Sequence, residues 1–169
     1  ERTSGNLCFP NCNSFMSYTT CILSKGLSAH AAYYEILDGI WARHFPVTER
    51  GYEEFWRKVS TLSTGEQACV VANEYYGETN CNGFEGYFLN TNCQQAHQTE
   101  KALRLFGLDQ AAEFLRKALI IGQVPNNLPP DFFYEWVEER KKEFKKVDKE
   151  YRRSKPIHGF HEAVVNYIR

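Results

Sequence analysis

The ten residues Asn82-Gly83-Phe84-Glu85-Gly86-Tyr87-Phe88-Leu89-Asn90-Thr91 run almost directly into a long amphipathic stretch from Cys93 to Ile121. Asn-Gly is the dipeptide at which a left-handed backbone turn costs least. Phe84, Tyr87 and Phe88 follow at steps of three and four, which predicts a short helix with one aromatic side, ended by Asn90-Thr91-Asn92. Helix resumes near Gln94 with Ala102, Leu103 and Phe106 inward, and breaks at Gly107, a residue suited to a C-terminal cap. Asp109 then reads as the N-cap of a further helix whose stripe is Ala112, Leu115, Ala118 and Leu119, closing at Gly122. Two helices joined so tightly form an antiparallel hairpin.

The rest of the chain arranges itself around this unit. Residues 1–27 are rich in Ser, Thr, Asn, Gly and Cys and read as an irregular arm with a short helix around Ser14 to Leu23. Ser28 caps a helix carrying Tyr33, Tyr34, Leu37, Ile40 and Trp41, which Phe45-Pro46 ends near His44. Thr48 caps the next, with the stripe Tyr52, Phe55, Trp56 and Val59. Ser63-Thr64-Gly65-Glu66 has capping-box form and opens a helix with Ala68, Val70, Val71 and Tyr75 that runs towards Gly77. Glu78 to Gly83 reads as a cluster of turn formers. After the proline-rich connector Val124 to Pro130 comes a helix with Phe133, Trp136, Val137 and Phe144 inside and mixed charge outside. The expected fold is all-α: an irregular Cys-containing arm at 1–27, and a single α-helical domain at 28–169 forming a compact bundle of about seven helices.

Charge narrows the function classes. Twenty Lys and Arg against 21 Asp and Glu leave a net charge of -1, so neither a broad basic face for nucleic acid nor a broad acidic one follows from the totals. Bases outnumber acids from Lys141 to Arg153, but interleaved acids and the lack of base-stacking aromatics favour a solvated helix over direct nucleic-acid contact. No stretch is long and apolar enough to span a membrane. Aromatics make up 15% of the chain, which suits a dense core or an interface.

Cys8, Cys12, Cys21, Cys69, Cys81 and Cys93 make an even count compatible with disulfides and equally with buried thiols. Bridged, they imply a periplasmic or secreted protein; free, a cytoplasmic one. The start at Glu1 fits a mature secreted chain and a trimmed one alike. Cys8 and Cys12 lack partner ligands at zinc spacing. His158 and His161, with Glu162, depart from the His-Glu-x-x-His pattern and read as surface or capping residues, while His30, His44 and His97 stand alone. There is no nucleophile elbow, phosphate loop or dinucleotide fingerprint. A cysteine–histidine pair would meet only in space.

The string Asn82-Gly83-Phe84…Tyr87-Phe88-Leu89-Asn90-Thr91, followed by Ala102-Leu103…Gly107-Leu108…Ala111-Ala112…Leu115…Ala118, resembles the central signature of the bacterial DNA-mimic protein family of the nineteen type, over roughly Ser28 to Glu143. The resemblance implies an α-helical, non-enzymatic module that regulates or inhibits a protein partner, uses no cofactor or metal and can act as a homodimer. The family's named member is acidic and covers the DNA-binding surface of a transcription regulator; this chain differs in its near-neutral balance and Cys-rich arm. Structurally, Phe84, Tyr87 and Phe88 read as core, and Asn82 and Asn90 as turn and cap residues. Functionally, the motif would set Asn82, Glu85, Tyr87 and Asn90 at the mouth of a groove beside Tyr75 and Tyr76. An alternative partner is a toxin, the chain then being a disulfide-held immunity protein, with a Cys- or metal-dependent enzyme a distant third.

Overall fold

The computed structural model describes residues 15–45, 52–91, 95–122 and 130–169. Among them every regular element is helical: α1 (Phe15–Leu23), α2 (Ala29–His44), α3 (Tyr52–Val59), α4 (Thr64–Cys81), α5 (Gly83–Thr91), α6 (Ala96–Leu105), α7 (Asp109–Gly122), α8 (Pro130–Ser154) and α9 (Phe160–Ile168). The all-α expectation holds, with nine helices among the described residues where about seven were expected. Thr48 and the connector at 124–129 lie outside the described residues, as do Cys8, Cys12 and Cys93.

Local signals set most helix ends. The Ser28 hydroxyl accepts the Ala31 N–H at the start of α2. At α4 the capping box is complete, Ser63 Oγ facing the Glu66 N–H and the Glu66 carboxylate accepting the Ser63 N–H at 3.1 Å. Gly107, at φ +73°, ends α6 in a Schellman turn: its N–H donates to Arg104 O, and the Leu108 N–H donates to Leu103 O at 2.8 Å.

Two boundaries differ from expectation. The segment 78–81 belongs to α4, which passes through Gly77 for one further turn. Burial of Tyr75 and Thr79, the latter hydrogen-bonded to Tyr75 O at 2.6 Å, outweighs the turn preference of the local residues. Asp109 is the first residue of α7 rather than its cap, because the Schellman turn places Leu108 in that position. The short helix expected around Ser14 to Leu23 is present as Phe15–Leu23, and it buries Tyr18 and Ile22 in the core. Helices of such length draw their stability from packing.

Helix α5 lies between α4 and α8; α4 also packs on α6, α6 on α7 and α7 on α8, while α2 packs on α1 and α9. The centre is aromatic: Tyr75, Phe84, Tyr87 and Phe88 are each 0% exposed. Tyr75 meets Tyr87 edge-on at 5.3 Å, Tyr151 meets Phe84 at 5.3 Å, and Phe144 meets Phe88 at 5.1 Å. Such tilted and edge-on pairs add to the burial of their area. No helix among the described residues is long and apolar enough to cross a membrane.

Candidate functional site

The α4–α5 turn places the motif residues. Gly83 takes φ +70°, and a Cβ there would lie 2.5 Å from Asp148 Oδ2. The carboxylate can approach so closely because the glycine has no side chain, and its Oδ1 accepts the Phe84 N–H at 2.8 Å. Burial pushes the Asp148 carboxyl up, against the Phe84 bond and the Arg152 charge. On the outer side, Glu78 Oε2 accepts hydrogen bonds from Asn82 Nδ2 and Asn90 Nδ2, both at 2.9 Å. Glu85 pairs with Lys141 of α8 at 2.7 Å. Glu78, a residue the motif reading passed over, ties Asn82 to Asn90, while Glu85 turns to Lys141 of α8.

The tyrosines part company from that surface. Tyr75 and Tyr87 are fully buried, so they do not line a groove: Tyr75 OH donates to Ala111 O at 3.2 Å and Tyr87 OH to Thr99 Oγ1 at 3.0 Å. Burial drives the Tyr75 phenol well above its ordinary value, and it stays a neutral donor. Tyr76, half-buried, turns towards α9 and stacks on Phe160 at 4.4 Å. The expected groove joining all six residues is thus not formed, because adjacent positions on a helix point about a quarter-turn apart.

A charge pattern along the chain accompanies the outer surface. Between residues 60 and 100 there are five glutamates, Glu66, Glu74, Glu78, Glu85 and Glu100, and no Lys or Arg; over 60–139 acids number 11 against 4 bases. Bases concentrate in 140–155, where nine face three acids. The near-zero net charge conceals two sequence segments of opposite sign, which meet where Lys141 of α8 pairs with Glu85 of α5. Glu66 is spent internally, with Oε1 2.9 Å from His44 Nε2 and 3.2 Å from Arg43. Burial acts to raise its carboxyl, but hydrogen bonds from Ser63 and His44 outweigh that and hold it below the usual range. Glu74 and Glu78, one turn apart and half-exposed, face outward with Asn82 next in the row. Burial, then the Glu78 charge, raises the Glu74 carboxyl.

Two histidines thought isolated have partners. His44 joins Glu66, and His30 lies 4.8 Å from His161, whose ring also packs on Tyr33 and Tyr76. Sequence spacing carries no trace of a contact between α2 and α9. Among the described residues Cys21, Cys69 and Cys81 are free thiols, and burial pushes the Cys69 thiol up to about 12, which leaves it protonated. No three His, Cys, Asp or Glu side chains among the described residues are grouped to hold a metal ion.

The model of one protein family, described as DMP19-like protein, matches residues 60–169. That span takes in the Asn82–Thr91 motif and the α6–α7 hairpin; relative to the resemblance read from the motif it starts after α3 and extends through α9. No curated protein and no solved structure matches the chain.

Proposed function

This chain belongs to the DMP19-like protein family, and on that premise we propose that it is a non-enzymatic module that binds and regulates a protein partner, using the acidic outer face of α4 and α5. The observation that carries the reading is the base-free run from 60 to 100, in which Glu74 and Glu78 stand partly exposed one turn apart on α4, while Glu85 of α5 is paired with Lys141. Carboxylates fixed on helices can stand in for a row of phosphates, so the fitting partner surface is basic and of the kind that otherwise meets nucleic acid. The local excess of acid reconciles a DNA-mimic mode with a chain that is nearly neutral as a whole.

The test is affinity capture with the tagged chain, followed by competition with duplex DNA and a salt titration. A DNA-binding regulator that is captured, displaced by duplex DNA and released as salt rises supports the reading. A partner that is a nuclease or other toxin enzyme, held against DNA and salt, favours the immunity-protein alternative and overturns it.

A further inference from the structure

At the junction of α4, α8 and α9, an open cleft of about 330 Å³ is lined by Arg152, Lys155 and His158. Its polar floor is Thr79, Asn80 and Tyr151, and an apolar wall is made by Tyr76, Pro156 and Ile157. No carboxylate lines it. Thr79 Oγ1 and Tyr151 OH, 3.2 Å apart, share a hydrogen bond that fixes both hydroxyls at the floor. The volume is at the small end of the range for small-molecule sites.

Arg152 lies in the last turn of α8 and Lys155 and His158 follow it, where cations also offset the helix dipole. That dipole amounts to about half an elementary charge. Arg152 and Lys155 alone bring two permanent charges, so the cleft keeps a net positive potential. Lys155 holds φ +49°, the one described non-glycine residue in the left-handed region. Glycine would occupy that position without strain, and a lysine there retains a charge at the cleft instead. The side chains of Arg152, Lys155 and His158 form no ion pair within 4 Å among the described residues; Arg152 acts on Asp148 only at longer range.

We propose that this cleft binds a small phosphate monoester, the phosphoryl oxygens meeting Arg152 and Lys155 and the organic group resting on Tyr76 and Ile157. Two permanent cations match a dianionic monoester better than the single charge of a diester or carboxylate, and the apolar wall gives an ester an advantage over the bare ion. Neither Glu74 nor Glu78 lines this cleft, and the proposal does not depend on partner binding.

Calorimetric titration of the full chain with phenyl phosphate, inorganic phosphate and benzyl alcohol tests it. Saturable binding of phenyl phosphate, weaker for inorganic phosphate and absent for benzyl alcohol, is expected. Arg152→Gln should weaken it about tenfold or more, the loss of one charge-assisted contact. Lys155→Gly should weaken it too while melting no lower than the parent, which separates a ligand role from a structural one; Lys101→Gln on α6 should change nothing. No saturable binding up to about 10 mM, the limit below which such contacts would register, overturns the proposal. So does unchanged affinity in the Arg152→Gln/Lys155→Gly pair, or equal affinity for inorganic phosphate, which would make the ion adventitious.

Discussion

The Asp148 carboxylate of α8 accepts the backbone N–H of Phe84 across 64 residues of chain, at 2.8 Å, against the bare Cα of Gly83. This single bond fastens the first turn of α5 to the longest helix and sets the orientation of the aromatic triad that follows. An unsatisfied buried N–H costs about 1–3 kcal/mol, so Asp148→Ala should destabilise by that amount in chemical unfolding, and Asp148→Asn, which keeps an acceptor, by less. Gly83→Ala should cost at least about 2 kcal/mol, since left-handed strain adds to displacement of the carboxylate.

Phe84 and Phe88 are each 0% exposed and sit among Tyr75, Tyr151, Trp136 and Phe144. Phe84→Ala or Phe88→Ala should therefore lower stability by roughly 3–5 kcal/mol. Variants that melt like the parent but lose a partner would show that these rings serve an interface instead.

Gly77 lies in the exposed interior of α4, and a Cβ there would meet nothing within 4 Å. Gly77→Ala should raise stability by about 0.5–1 kcal/mol, the helix preference of alanine over glycine. A loss of stability would mean that the helix ends at Gly77, as its local sequence suggests.

His161 titrates below its ordinary value, because burial and then the neighbouring His30 disfavour its charge, with Glu162 acting the other way. The folded state thus binds fewer protons than the unfolded one between the lowered value and 6.5. Stability supplied by neutral His161 is full above that window and lost as pH falls through it. His161→Phe, which keeps the ring against Tyr33 and Tyr76, should shrink the fall in melting temperature between roughly pH 7.5 and 5.

What the sequence discloses here is local. Ser28, the Ser63–Glu66 box and Gly107 mark helix ends through bonds that span three to five residues, Gly83 marks one by its left-handed φ, and the periodicity of Phe84, Tyr87 and Phe88 reports their burial correctly. The failures lie where distant residues decide. Glu78 to Cys81 favour a turn by composition, yet Thr79 is held against Tyr151 from α8. Tyr75 and Tyr87 look available beside a polar turn until α6 and α7 supply Thr99 and the Ala111 carbonyl. The Asp148 clasp, the His30–His161 contact and the cleft around Lys155 have no short-range signature. The acidic run from 60 to 100 was readable from the residues, but a net charge summed over the whole chain hides it.

The most direct measurement is the affinity of the captured partner for Glu74→Gln/Glu78→Gln, with the melting temperature followed in parallel. Glutamine keeps the shape of both side chains, and burial already disfavours the Glu74 charge, so the double variant should fold like the parent. The account predicts binding weakened about tenfold or more, with a shallower salt dependence and no loss of melting temperature. Unchanged affinity in a folded double variant would contradict it.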